Sequence, residues 1–134
     1  MQITIASDPF AVRNGLATLL GNPIISTMAQ DARSAAEIVL AEVLNNIVEH
    51  AYADSAGSIV VALRQDDDGI LVTVMDHGAA FPQEKLPEGR LPEIDSFDDL
   101  PEGGFGWLLI RTLVRGLSYQ RKNGSNHVSF YLLA

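Results

Sequence analysis

Two pairs of short apolar runs, each closed by a turn signal, constrain this chain most. Ser58 to Arg64 and Ile70 to Met75 are rich in Val and Ile and are joined by Gln65-Asp-Asp-Asp-Gly69. Leu117 to Lys122 and His127 to Leu133 are joined around Asn123-Gly124, a preferred hairpin dipeptide. Two hairpins place antiparallel pairing at the centre of the fold. The segments around them carry helical signals, so the expected class is α+β, a two-layer α/β sandwich with helices on one face of a mixed or antiparallel sheet.

Met1 to Ala6 alternates weakly and reads as a short strand. Ser7 or Asp8 can cap a helix that starts at Pro9 and runs to about Leu20, where Gly21-Asn-Pro23 stops it. From Asp31 to about Ala53, the residues Ala35, Ile38, Val39, Val43 and Ile47 recur at helical spacing. Between Phe81 and Gly103 the composition changes: four of the six prolines fall here, and Leu-Pro-Glu occurs at Leu86, Leu91 and Leu100. Closely spaced prolines prevent a long helix or a central strand, so a lid-like loop is expected over about 82–103. A helix should follow in WLLIRTLVRGL, with Leu109, Ile110, Leu113, Val114 and Leu117 on one face. The 134 residues are one domain's worth, and nothing marks a second domain.

The bulk numbers exclude several function classes. There is no cysteine, hence no disulfide framework, thiolate metal site or Cys nucleophile. The formal net charge is −8, which argues against a partner held through a phosphate backbone; no nucleic-acid partner is expected. Hydrophobic residues at 47% and charged residues at 19% place the chain among folded proteins. The start lacks the pattern of a signal peptide and no apolar run approaches a membrane span, so a cytoplasmic protein without membrane contact is expected.

Three constellations carry chemistry. Glu42, Asn46 and His50 stand four residues apart on the second helix and form a row beside its apolar stripe. A carboxylate and an amide one turn apart offer hard oxygen ligands suited to Mg²⁺. Asp76-His-Gly78 closes a strand, where an aspartate can accept from an exocyclic amine and a glycine admits a flat ring. Glu102-Gly-Gly-Phe-Gly106 precedes a helix, where backbone amides can meet an anion. Each piece alone also fits an ordinary role: a solvated helix face, a helix-end histidine, a strand-end turn, or loop punctuation.

Taken in order, the Glu-x₃-Asn-x₃-His helix, the Asp-x-Gly strand end, the Pro-rich loop and the Gly-x-Gly helix start resemble the N, G1 and G2 boxes of the GHKL ATP-binding superfamily. The nearest likeness is to the small bacterial anti-sigma-factor serine kinases, and it runs from Asp31 to the last strand. The resemblance implies ATP and Mg²⁺ as cofactors. It implies Asn46 as the metal ligand, Glu42 as the general base, and His50 as a further contact of the site. Asp76 would take the adenine amino group, with Gly78 beneath the ring and Asn126 near the base. Gly104, Phe105 and Gly106 would let the lid close on the phosphates. It further implies an anti-sigma-factor antagonist whose serine is phosphorylated, a sigma factor as second partner, and a homodimer. Related kinases often carry a basic residue before the glycines, where this chain has Glu102; Lys85, Arg90 and Arg111 are the basic residues at hand. The alternative is a nucleotide-binding regulatory module that sequesters a protein partner without phosphoryl transfer.

Overall fold

A computed structural model of the chain describes residues 1–87 and 105–133, the side chain of Phe105 excepted. The elements are β1 (Gln2–Ala6), α1 (Pro9–Gly21), α2 (Pro23–Ser26), α3 (Gln30–Asn46), a π-helical turn (Ile47–Ala51), β2 (Ser58–Asp66), β3 (Gly69–Asp76), a 3₁₀ turn (Pro82–Glu84), α4 (Phe105–Leu113), β4 (Val114–Lys122) and β5 (Ser125–Leu132). The strands form one sheet in the order β1-β2-β3-β5-β4, and every pairing is antiparallel. The expected α+β sandwich is therefore present, and of its two sheet options the antiparallel one holds.

Local chemistry explains the starts and stops. The Asp8 side chain accepts from the Ala11 amide at 2.9 Å and Pro9 opens α1, as the sequence suggests. Asn22 repeats the device: its Oδ1 accepts from the Ile24 amide at 3.0 Å and starts α2, a single turn not expected from periodicity. Asn123 and Gly124 both have positive φ, 52° and 77°, and make the two-residue turn between β4 and β5.

One helix boundary differs from expectation. WLLIRTLVRGL was expected to be helical to Leu117, but α4 ends at Leu113 and β4 begins at Val114. Val114 pairs with Leu132 and Arg115 with Tyr131, and a bulge follows between Arg115 and Ser118. The spacing of Val114 and Leu117 fits a helix as well as it fits a strand. Cross-strand pairing to β5 decides between them.

The core lies between the inner face of the sheet and the helices. Val39, Leu40, Val43, Leu44 and Ile47 come from the α3 region, and Ile59, Val61, Val72, Val128 and Phe130 from the strands; all are buried. Burial alternates along β2, β3 and β5, so the sheet turns one face to the helices. α3 packs against both α1 and α4, and the start of α4 meets the last turns of α3. No helix among the described residues is long and apolar enough to cross a membrane.

Candidate nucleotide site

The polar row on α3 meets the start of α4. Glu42 and Asn46 are half-buried, beside Val39 and Val43 rather than opposite them. Asn46 Nδ2 donates to the Glu42 carbonyl oxygen at 2.7 Å. That bond gives the amide nitrogen to the helix backbone and leaves Oδ1 for other partners. Gly106 lies directly against the pair: a Cβ there would stand 2.5 Å from Glu42 Oε2 and 3.0 Å from Asn46 Nδ2. Two segments about sixty residues apart thus converge at Gly106, where any added side chain would have to displace the Glu42 carboxylate.

After Asn46 the helix winds as a π turn, closed by the Tyr52 amide donating to the Ile47 carbonyl at 3.0 Å. His50 lies on this turn and is exposed.

Asp76 ends β3 and is 1% exposed. Its Oδ1 accepts from the Gly78 amide at 2.8 Å and from Asn126 Nδ2 at 2.9 Å, whereas its buried Oδ2 has no hydrogen-bond partner among the described residues. Burial pushes the carboxyl above its usual range, and the bonds from Asn126 and Gly78 oppose that shift without cancelling it. A buried acceptor without a donor is expensive, and an amine on a bound ligand would satisfy it.

Gly78 serves a different purpose from the one read in the sequence. The space that a Cβ would occupy is filled by the carbonyl and Cβ of Ala51, and the Ala79 amide donates to Ala51 O at 2.8 Å. The turn after Asp76 is therefore docked on the π turn, and glycine is needed for that packing. Tyr52 closes the same corner: its hydroxyl donates to Ser58 O at 2.7 Å and accepts from the His77 amide at 2.9 Å.

Asn126 is fully buried and sits opposite Asp76 in the β3–β5 register. Nδ2 donates to Asp76 Oδ1 and to Ala79 O at 2.8 Å, while Oδ1 accepts from Tyr119 Oη at 2.5 Å and Arg121 Nη1 at 3.1 Å. With both amide hydrogens and both lone pairs used, it has nothing left to offer a base. All four of these bonds are to the protein, and one of them holds Asp76.

Residues not singled out in the sequence complete the frame. Phe81 packs edge-on against Trp107 and Tyr119, at centroid distances of 5.5 and 5.2 Å. Arg111 donates from Nε to Pro87 O at 3.0 Å and from Nη2 to Leu86 O at 3.3 Å, anchoring the start of the proline-rich segment to α4. Lys85 is exposed. Gly104, the side chain of Phe105, Arg90, Glu102 and the rest of the expected lid lie outside the described residues. A strict two-residue turn at Asn123-Gly124 would have put Arg121 opposite Asn126, so the signal for that pair was present in the spacing.

With this geometry in hand, comparison with known proteins is decisive. A model of the histidine kinase-like ATPase domain matches residues 6–132. The chain belongs to the histidine kinase-like ATPase domain family. It is 39% identical over 90 residues to the serine/threonine-protein kinase BtrW of Bordetella bronchiseptica, covering 66% of this chain and 61% of that one. It is 30% identical over 90 residues to the serine-protein kinase RsbW of Bacillus cereus, covering 66% and 56%. The match to RsbW of Halalkalibacterium halodurans is 31% over 90 residues, covering 66% and 55%. The aligned stretch thus spans 55–61% of these relatives' lengths. Within that family match, the Glu-Asn row meets the glycine helix start directly, and the aspartate strand end is docked through Gly78 on the turn that follows the same helix.

Proposed function

We propose that this histidine kinase-like ATPase domain is an ATP-dependent protein-serine kinase of the anti-sigma type. It transfers the terminal phosphoryl group of ATP to a serine of an antagonist protein and sequesters a sigma factor, acting in the cytoplasm as a homodimer. The observation that carries this reading is the packing of Gly106 against Glu42 and Asn46. That convergence brings the start of α4 against the Glu42 carboxylate and the Asn46 amide together. The names of its relatives, which are serine and serine/threonine kinases, support the same reaction class.

The residues fit ATP and Mg²⁺ in chemistry. Asp76 Oδ2, buried and without a donor, suits the adenine amino group. Asn46 Oδ1 is a hard neutral oxygen suited to Mg²⁺, which prefers few protein ligands together with phosphate oxygens and water. ATP supplies the phosphoryl group, and Mg²⁺ spreads the charge along its phosphates. Glu42 would accept the proton of the incoming serine hydroxyl as the serine oxygen bonds to the γ-phosphorus and that phosphorus parts from the β–γ bridging oxygen, releasing ADP. Gly104 and Gly106 give the lid its backbone freedom, and Phe105 opens the helix whose first amides face the anion.

Incubation with labelled ATP, Mg²⁺ and candidate antagonist proteins tests the assignment. Label on a serine of one antagonist is the expected result; nucleotide binding with no transfer to any serine removes the kinase reading. A second reading, a nucleotide-holding module that sequesters its partner without phosphoryl transfer, is favoured by Glu102, an acid before the glycines where related kinases have a base.

A further inference from the structure

The carboxylate that ends β3 is held by an amide whose orientation is itself imposed. Asn126 could occupy the same volume with its nitrogen and oxygen exchanged, because the two ends of an amide are nearly the same size. Only its partners choose. On one side, Asp76 Oδ1 and Ala79 O are acceptors and require Nδ2. On the other side stand Tyr119 and Arg121. A guanidinium has donors and no acceptor, so Arg121 Nη1, 3.1 Å from Asn126 Oδ1, tolerates only oxygen there. The tyrosine hydroxyl could serve either way, but the Phe81 amide donates to it at 3.3 Å and turns its own hydrogen toward Asn126. Arg121 Nη1 also donates to Gly78 O at 2.7 Å, so one guanidinium nitrogen ties the turn and the amide together.

We propose that Arg121, assisted by Tyr119, is a positioning residue for nucleobase selection. By holding the oxygen end of Asn126 it steadies the amide that commits Asp76 Oδ1 to the protein, and so leaves Oδ2 as the acceptor for a 6-amino purine. This rests on the adenine assignment of Asp76 made above. A 6-oxo purine would bring a carbonyl oxygen to the same carboxylate and be repelled. Without the guanidinium the oxygen end of Asn126 keeps only Tyr119; Asp76 Oδ1 and Ala79 O still call for Nδ2, but the amide is held less firmly and the carboxylate loses part of its fixed orientation. Adenine then loses its advantage while the rest of the site, at α3 and α4, remains able to hold a triphosphate.

The readout is the ratio of affinities for Mg-ATP and Mg-GTP, measured by calorimetry on the whole chain and on variants. The unaltered protein is expected to prefer ATP. Arg121→Met is expected to lower the ATP:GTP ratio about tenfold, the loss of one bond to a polar or charged group, and Arg121→Lys to restore most of it. Damage that is merely structural weakens both nucleotides alike and leaves the ratio in place. An unchanged ratio in Arg121→Met therefore overturns the proposal. No ATP preference in the unaltered protein instead overturns the adenine assignment of Asp76, and this inference with it. Should Arg121→Met fail to fold by circular dichroism, Tyr119→Phe decides on the same ratio. It keeps the ring against Phe81 and removes only the hydroxyl, and a several-fold fall supports the proposal while no change sinks it.

Discussion

Asp76 is almost completely buried, and one of its carboxylate oxygens meets no donor among the described residues. Burial raises its folded-state pKa above the unfolded value, with Asn126 and Gly78 opposing. The sign of the linkage follows. Between the unfolded and folded values the native state holds more protons, so the stability of the nucleotide-free protein falls as pH rises through that window and is then constant. Asp76→Asn keeps an acceptor for Gly78 and Asn126 and removes the charge. It is expected to raise the melting temperature at neutral pH, flatten the acid-side dependence, and weaken ATP by roughly 10–100-fold. An unchanged ATP affinity would show that the adenine end lies elsewhere. Glu42→Gln is expected to keep Mg-ATP binding and lose turnover by about 10²–10⁴-fold; full turnover would exclude Glu42 as the base. Glu42, Asn46 and Asp76 were legible because helical period and strand ends are local properties. The role of Asn126 was not, since it depends on strand register and on which of its four hydrogen bonds the protein itself uses.

Elements meet in this site through glycine contacts that tolerate little change. At Gly106 an added methyl would meet Glu42 Oε2 at 2.5 Å and push apart α4 and α3 or displace the carboxylate. Gly106→Ala is expected to reduce turnover at least tenfold while far-ultraviolet circular dichroism stays native, because the sheet is not involved. At Gly78 the obstacle is the backbone of Ala51, which cannot rotate away. Gly78→Ala is therefore expected to destabilise the fold itself by about 1–3 kcal/mol, read as a lower melting temperature. Sequence patterning found the strands, the hairpins, α1 and α3, because their periodicities are long and their turns carry Asp-Gly or Asn-Gly. It missed the π turn, since one extra residue in a helix leaves no mark on composition. It also carried α4 too far, since Val114 serves helix and strand equally until β5 is in place.

At the scale of the whole molecule, an antiparallel sheet supports helices that bring the start of α4 to Glu42 and Asn46 of α3, while the turn after β3 docks on the end of the same helical segment. Ligand binding across these elements should be felt globally. Mg-ATP at 100 times its Kd is expected to add about 2.7 kcal/mol, a rise in melting temperature of roughly 8–12 °C for a domain of this size. Differential scanning calorimetry would give the shift, and none at saturating Mg-ATP would rule out the nucleotide reading altogether. The fold class and the family were legible from order: hairpin, proline-rich loop, helix and hairpin leave few alternatives for a chain this long. Partner identity was not, because an overall charge of −8 says nothing about where a partner sits. The donorless oxygen of Asp76 has a physiological corollary. On the assignment proposed above, the atom that would take the adenine also weakens the vacant protein, so molecules without nucleotide are expected to open more often and reach proteases sooner, and cellular abundance to track energy charge.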